Sequence, residues 1–312
     1  MIRHYSGKIG EFDYDDDEFM ILEFGLQYIG NATDGKDIRI PEGVKSCSHM
    51  FSSSEIAKTM KKAPVIPKSV TDCSCMFFGC ENLLSAPRIP KDVTDCSYMF
   101  WGCKKIKKAP RIPKKVSDCL GMFQFCSSLE EVPNFPKSLE NASDMFSGCT
   151  RLRSIPAAFP DRVKNCNRTF QRCEMLETAP GLPDSIIDCA SLFDGCTRLK
   201  NAPDVPPHAK NCQYMFSKCR SITNPPGIRN NIRSYVGLFS GCVSLVEAPE
   251  IPSNASKCCN MFAYCESLRE APALPGGLRD ARSMFKGCTG LTGRPALPPS
   301  LKKTDGMFEG CI

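Results

Sequence analysis

The sequence predicts a repeat solenoid, a stack of short coils that each bury one apolar side against the next. Three observations carry the prediction. Phenylalanine recurs at 51, 77, 100, 123, 146, 170, 193, 216, 239, 262, 285 and 308, so that after a first interval of 26 every step is 23 residues except one of 24. Cysteine follows the repeat Phe by three residues at eleven positions, 80 to 311, and precedes it by four at eight more, leaving only Cys75 and Cys259 outside the two series. Two prolines three residues apart punctuate most units, as in Ala86 to Pro90 and Ala109 to Pro113. A fixed period of this length is the signature of units that cannot bury their apolar face alone.

Residues 1–40 do not repeat. The mixture of aromatic and acidic residues from Glu11 to Phe24 predicts a small β-hairpin cap over the first coil, with Asp37 to Pro41 strand-like after the turn residues 31–35. The acidic run Asp13 to Glu18 reads as a solvated face, since the alternating oxygen ligands and central glycine of a calcium loop are missing. Asn31 to Thr33 spells a glycosylation sequon, which matters only in a secreted chain.

From residue 41 to 312 we expect twelve units forming one elongated domain. The A-P-x-I-P segment must be extended, because proline forbids helix and removes two backbone donors. The following V-T-D-C stretch, Val93 to Cys96 for example, predicts a three- or four-residue strand pairing in parallel with its copies. The S-x-M-F-x-G-C stretch predicts a single helical turn with Met and Phe inward, ended by a left-handed Gly. That Gly stands at 79, 102, 148, 195, 241, 287 and 310, but Phe125, Arg172, Lys218 and Tyr264 replace it, in strict alternation between 102 and 287.

Stacking turns each cysteine series into a column, and a small apolar side chain suits a slot every coil must fill. Where the upstream series lacks Cys it carries Ala142, Tyr235, Ala281 or Thr304, which fits packing rather than pairing. An odd total of 21 and an opening segment, Met1 to Gly10, without an apolar signal-peptide core point to reduced thiols and a cytoplasmic location. The longest apolar runs are too short to cross a bilayer. The chain stops directly after the last Phe-containing turn, which leads us to expect a homodimer or partner closing the C-terminal coil.

The order L-x-x-A-P-x-I-P-x-x-V-x-x-C-x-x-M-F-x-G-C-x-x-L resembles the bacterial BspA-type leucine-rich repeats over residues 38 to 312. V-T-D-C-S-Y-M-F, Val93 to Phe100, is also similar to surface-protein repeats of the V-T-D-M-S-x-M-F kind. The resemblance implies a leucine-rich-repeat-like fold and a protein-binding or adhesion role, and it brings no catalytic residues. This chain departs from the family pattern in its two prolines per unit and its second cysteine column.

Catalysis, cofactors and metals are not expected. His4, His49 and His208 are scattered, no Cys-x-x-Cys occurs, and no phosphate-cradling or nucleophile motif is present. Charge is uneven instead. Residues 1–55 hold 5 basic and 11 acidic side chains, a net of −6, whereas residues 56–116 hold 13 and 4, a net of +9. Within that block Arg88 and Arg111 occupy one slot of neighbouring units, Lys91 and Lys114 another, and Lys104, Lys105, Lys107, Lys108 and Lys115 surround them. Phe78 and Trp101 share a slot that is mostly polar elsewhere, with Tyr98 and Phe125 close in register.

These thirteen residues form the candidate partner-binding surface of units two to four, the aromatics serving either as interface anchors or as packing that shields the seam between coils. The leading reading is a non-enzymatic intracellular scaffold or inhibitor, of the kind a bacterium or phage encodes. Its partner would be a protein that is acidic or that handles nucleic acid. Direct binding of single-stranded nucleic acid and a surface adhesin exported by an unrecognised route are the alternatives, and no membrane association is expected.

Overall fold

The structure, a computed structural model, describes residues 7–9, 12–14, 19–22, 25–28, 30, 32, 34–52, 54–156, 158–228 and 232–311. It comprises two compact units, Met1–Arg151 and Leu152–Ile312. The single 24-residue interval of the repeat, Phe146 to Phe170, straddles that division. His4, the acidic residues Asp15 to Glu18, and Asn31 and Thr33 of the sequon lie outside the described residues.

The first unit begins with two antiparallel pairs rather than one hairpin: β1 (Gly7–Ile9) with β2 (Phe12–Tyr14), then β3 (Phe19–Leu22) with β4 (Gly25–Tyr28). β4 joins the repeat directly. The Tyr28 N–H donates to the Met50 carbonyl at 2.9 Å, and the buried Tyr28 ring tilts onto Phe51 at 5.9 Å. The expected strand-like stretch at 37–41 does not form a strand. Gly35–Asp37 makes a 3-10 turn, and Ile38 and Ile40 bury their side chains from irregular backbone.

Inside the first unit, Phe51, Phe77, Phe100, Phe123 and Phe146 form one file of fully buried rings. Successive centroids lie 5.4 to 5.8 Å apart and the planes are within 18° of parallel. The second unit repeats the arrangement from Phe170 to Phe308 at 5.6 to 5.8 Å. Met99, Met122 and Met145, Val93 and Val116, and Ile106 and Leu129 fill the remaining interior slots with no exposure. Each such aliphatic side chain contributes on the order of 1.5 to 3 kcal/mol by burial, which is why a coil so short holds its shape only against neighbours.

Two local expectations are corrected. The strands shrink to single parallel bridges, Asp72 to Asp95 to Asp118 to Asn141 in the first unit and Asn165 to Asp188 to Asn211 in the second. The helical turn is replaced by overlapping tight turns whose amides alternate partners. In the coil of Phe100, the N–H groups of Met99, Trp101 and Cys103 donate to carbonyls three residues back. Those of Tyr98, Phe100 and Gly102 donate to Leu120, Met122 and Gln124 of the next coil.

The physical reason is a left-handed residue on each side of the Phe. Two residues before it, His49, Cys75, Tyr98, Asp144, Arg168, Ser191, Tyr214, Asn260 and Ser283 all have φ between 52 and 57°. Two residues after it the glycines are joined by Phe125, Arg172, Lys218 and Tyr264 at 57 to 61°, as positive as their Gly counterparts in sign if not in size. Neither helix nor strand survives a sign change of φ every fourth residue. The side chain of aspartate or asparagine at the bridge position starts the turns by accepting an N–H two residues on, as Asp95 does from Ser97 at 2.8 Å and Asp118 from Leu120 at 2.8 Å.

The alternation of Gly with larger residues finds a steric cause where the larger residue is aromatic. A Cβ on Gly148 would lie 2.6 Å from the Phe125 ring, and one on Gly287 would lie 2.6 Å from the Tyr264 ring. Opposite Arg172 and Lys218 a Cβ on Gly195 or Gly241 would sit at 3.5 and 3.3 Å, so there the positive φ rather than the neighbour favours Gly.

Candidate binding surface

The two cysteine columns differ in how consistently their thiols bond: in the upstream column Cys166 and Cys189 donate to the Asp188 and Asn211 carbonyls of the next coil at 3.4 and 3.3 Å. All 21 thiols are free, and all but Cys75 and Cys311 are buried. In the downstream column nine thiols, from Cys103 to Cys311, donate to the carbonyl of the repeat Phe one coil earlier at 3.0 to 3.3 Å. That carbonyl already accepts the N–H of the Cys in its own coil, as Phe100 does from Cys103 at 3.1 Å. Volume alone would admit Ala, so the donor explains why Cys fills this column from 80 to 311 without exception. Ser54 takes the slot in the first coil, which has no predecessor, and donates to the Phe51 carbonyl of that coil at 2.7 Å. Burial pushes the thiols up, Cys47 and Cys80 to about 12, which leaves them protonated and unreactive at neutral pH.

On the outside of the first unit the aromatic candidates come together. Phe78 stacks on Trp101 at 4.2 Å and 3° between planes, and Phe125 meets Trp101 edge-on at 5.4 Å and 88°. The Trp101 indole N–H donates to Gln124 Oε1 at 3.1 Å. Phe78, Tyr98 and Trp101 are half-buried, while Phe125 keeps 38% exposure. Tyr98 lies over Gly121, where a side chain would strike its ring.

The basic candidates divide into two groups. Arg88, Lys91, Arg111, Lys114 and Lys115 line one groove of about 780 Å³, with Ala86, Pro87, Ile89, Asp92, Pro110, Ile112 and Pro113. Lys104, Lys105, Lys107 and Lys108 do not line it. Three of the nine are charge-paired: Lys104 with Glu81 at 2.7 Å, Lys108 with Glu131 at 2.8 Å and Lys115 with Asp92 at 2.7 Å. The hydrogen bond from Lys115 holds the Asp92 carboxyl below its usual range. Among the described residues, Arg88, Lys91, Lys105, Lys107, Arg111 and Lys114 make no ion pair.

The 23-residue period itself signals these pairs. Glu81 and Lys104, Asp92 and Lys115, and Lys108 and Glu131 are each 23 residues apart, opposite charges in one slot. The lysine slot also extends further than expected, because Val70, Val93, Val116 and Leu139 each donate to the proline before it. Lys68, Lys91, Lys114 and Lys137 are therefore equivalent, and all four are exposed. Gln124, which fixes the Trp101 ring, and the proline and isoleucine floor of the groove were not anticipated. Among the described residues no group of three or more His, Cys, Asp or Glu side chains is placed to hold a metal, and no helix is long and apolar enough to cross a membrane.

Coils of this length, joined by a parallel ladder and filled by a repeating apolar set, define a leucine-rich-repeat solenoid. A family model described as the BspA type leucine rich repeat region, in six copies, matches residues 49–177, 121–246 and 189–311, and the chain belongs to that family. Among solved structures, a leucine-rich repeat protein from Bacteroides ovatus is similar with a TM-score of 0.60 and 22% identity, over 96% of this chain and 93% of that one. A leucine-rich repeat protein from Eubacterium ventriosum aligns at 0.48 and 14% identity, over 94% and 92%. A leucine rich cell surface protein from Faecalibacterium prausnitzii aligns at 0.41 and 18%, over 91% and 96%. Comparison with curated proteins gives no match.

Proposed function

We propose that this protein is a non-enzymatic binding scaffold that holds a protein partner through the outer surface of the second to fourth coils, residues 78 to 125. The observation that carries the reading is the groove between 86–92 and 110–115, where proline and isoleucine lie beside Arg88, Lys91, Arg111 and Lys114, cations that make no ion pair among the described residues. An apolar floor with a few convergent charged groups is the usual make-up of a binding site. The aromatic trio supports the reading by fixing the seam between the same coils. Single-stranded nucleic acid is the weaker occupant, since one face of Trp101 is already covered by Phe78 and its N–H is engaged by Gln124.

The same reading places the scaffold in a reducing compartment, supported by nine thiols used as hydrogen-bond donors, which oxidation would remove. Photo-crosslinkers installed singly at Lys91 and Lys114, and at Arg269 in the second unit as control, test the assignment in the native cell. Protein adducts from the first two sites and not the third are expected. Adducts that vanish with nuclease, or none from the first two sites, would contradict it, as would recovery of the protein only from the cell surface.

A further inference from the structure

The groove has a length, a polarity and a cause, and together they specify what fits it. Pro87, Pro90, Pro110 and Pro113 lack the N–H needed to pair neighbouring coils here. Accordingly, among the described residues Arg88, Ile89, Arg111 and Ile112 make no backbone hydrogen bond, although the ladder runs continuously through the adjacent turns. The groove is lined by both of these unpaired segments. Its walls offer backbone amides and carbonyls, its floor offers proline and isoleucine, and its cations are arranged in two pairs. Arg88 and Arg111 share a slot one coil apart, roughly 5 Å by the spacing of paired strands. Lys91 and Lys114 repeat this three residues along, roughly 9 Å further on for an extended segment. The only carboxylate in the lining, Asp92, is occupied by Lys115.

We propose that this groove binds an extended acidic peptide segment of a partner protein, with carboxylates at every third residue. An extended left-handed polyproline-type chain repeats every three residues and rises about 3.1 Å per residue. Side chains at i and i+3 therefore share a face and span the distance from the arginine pair to the lysine pair. Each carboxylate then meets two cations, and an arginine takes it in a fork. Apolar residues between the acids lie on the proline floor. The inference rests on the scaffold reading and gives it a ligand.

Fluorescence anisotropy with two labelled dodecapeptides of one composition tests it. One repeats Glu-Pro-Ala four times, and the other places its four glutamates contiguously. Labelled oligo-dT of twelve nucleotides is the third probe. The spaced peptide should bind saturably and at least about threefold tighter than its isomer. Arg88→Glu with Arg111→Glu should weaken it by about tenfold or more, as loss of close charge pairs does. Lys302→Glu with Lys303→Glu, the same charge change in the second unit, should alter it less than about threefold, because neither residue lines the groove and exposed charges away from a site are screened. All four positions are exposed, and a thermal melt confirms that the variants fold.

Equal affinity for the two peptides, equal loss in the two double variants, or tighter oligo-dT binding lost with Arg88 and Arg111 would each overturn the proposal, as would no saturable binding. If the peptides fail while Lys91 and Lys114 still crosslink to protein, the scaffold reading survives and the acidic ligand falls.

Discussion

Replacing Cys126 by Ala should cost more than replacing Cys119 by Ala, although the two substitutions remove the same atom from the same coil. Both residues are fully buried. Loss of one buried heavy atom costs about 1 kcal/mol by itself, on the scale of Ile→Val truncations. Cys126 loses in addition its bond to the Phe100 carbonyl at 3.1 Å, about 1 kcal/mol for a typical intramolecular hydrogen bond. That carbonyl keeps the Cys103 N–H, so no orphaned acceptor adds to the cost. The expected totals are about 2 kcal/mol for Cys126→Ala and about 1 kcal/mol for Cys119→Ala. Cys119 stands in the column where the chain itself uses Ala142 and Ala281. Cys126→Ser retains a donor and should recover part of the loss. Urea unfolding under reducing conditions, compared at matched slope, gives the differences. Equal costs for the two alanine variants, or a serine no better than alanine at 126, would refute the view that this column is chosen for its thiol hydrogen bond.

Phe123→Ala should cost about 3 to 5 kcal/mol, since it empties the middle of the ring file in the first unit, and the loss of melting temperature measures it. Gly148→Ala should be destabilising by about 1 to 3 kcal/mol, because φ is 78° there and the new methyl would meet the Phe125 ring. The penalty should shrink by at least about 0.5 kcal/mol in a Phe125→Ala background, a coupling read from a double-mutant cycle. Native alkylation with N-ethylmaleimide, mapped by mass spectrometry, should reach Cys75 and Cys311 first, and denaturant should release close to 21 thiols. The Arg282 guanidinium, 2.9 to 3.0 Å from Asp280, holds that carboxyl at about 2 instead of 3.8. A lowered native value means that the pair stabilises fully above the unfolded carboxyl value and loses its contribution as pH falls towards 2. Arg282→Ala should therefore move acid unfolding to higher pH, while leaving the salt dependence of the first unit unchanged.

The ring file was legible because period 23 places Phe100, Phe123 and Phe146 in one slot, and a slot that is always aromatic must face inward. The cysteine columns were legible as burial but not as bonding, since small volume and a weak donor coincide in one residue. Local geometry was harder to read. A left-handed turn is visible at Gly102 but invisible at Tyr98 and Phe125, which adopt it only because the adjoining coils fix both ends of the turn. That difference turned an expected helical turn into a run of tight turns. At the surface, like charges in one slot stand out in the sequence, whereas opposite charges in one slot, such as Glu81 with Lys104, are recognised as pairs only once the coils are stacked. The groove was hidden for a related reason: the missing proline amides are stated by the sequence, but which side chains line the resulting hollow depends on the stacked coils.

The central claim is that equivalent positions 23 residues apart lie against one another, and a zero-length carbodiimide crosslink between lysine and carboxylate reads this register directly. Lys104 with Glu81, Lys115 with Asp92, Lys108 with Glu131 and Lys286 with Glu309 approach within 2.7 to 3.0 Å and are each 23 residues apart. The account predicts isopeptide links at these pairs in the native protein and their loss on unfolding. Links scattered over separations unrelated to 23, with these four missing, would contradict it.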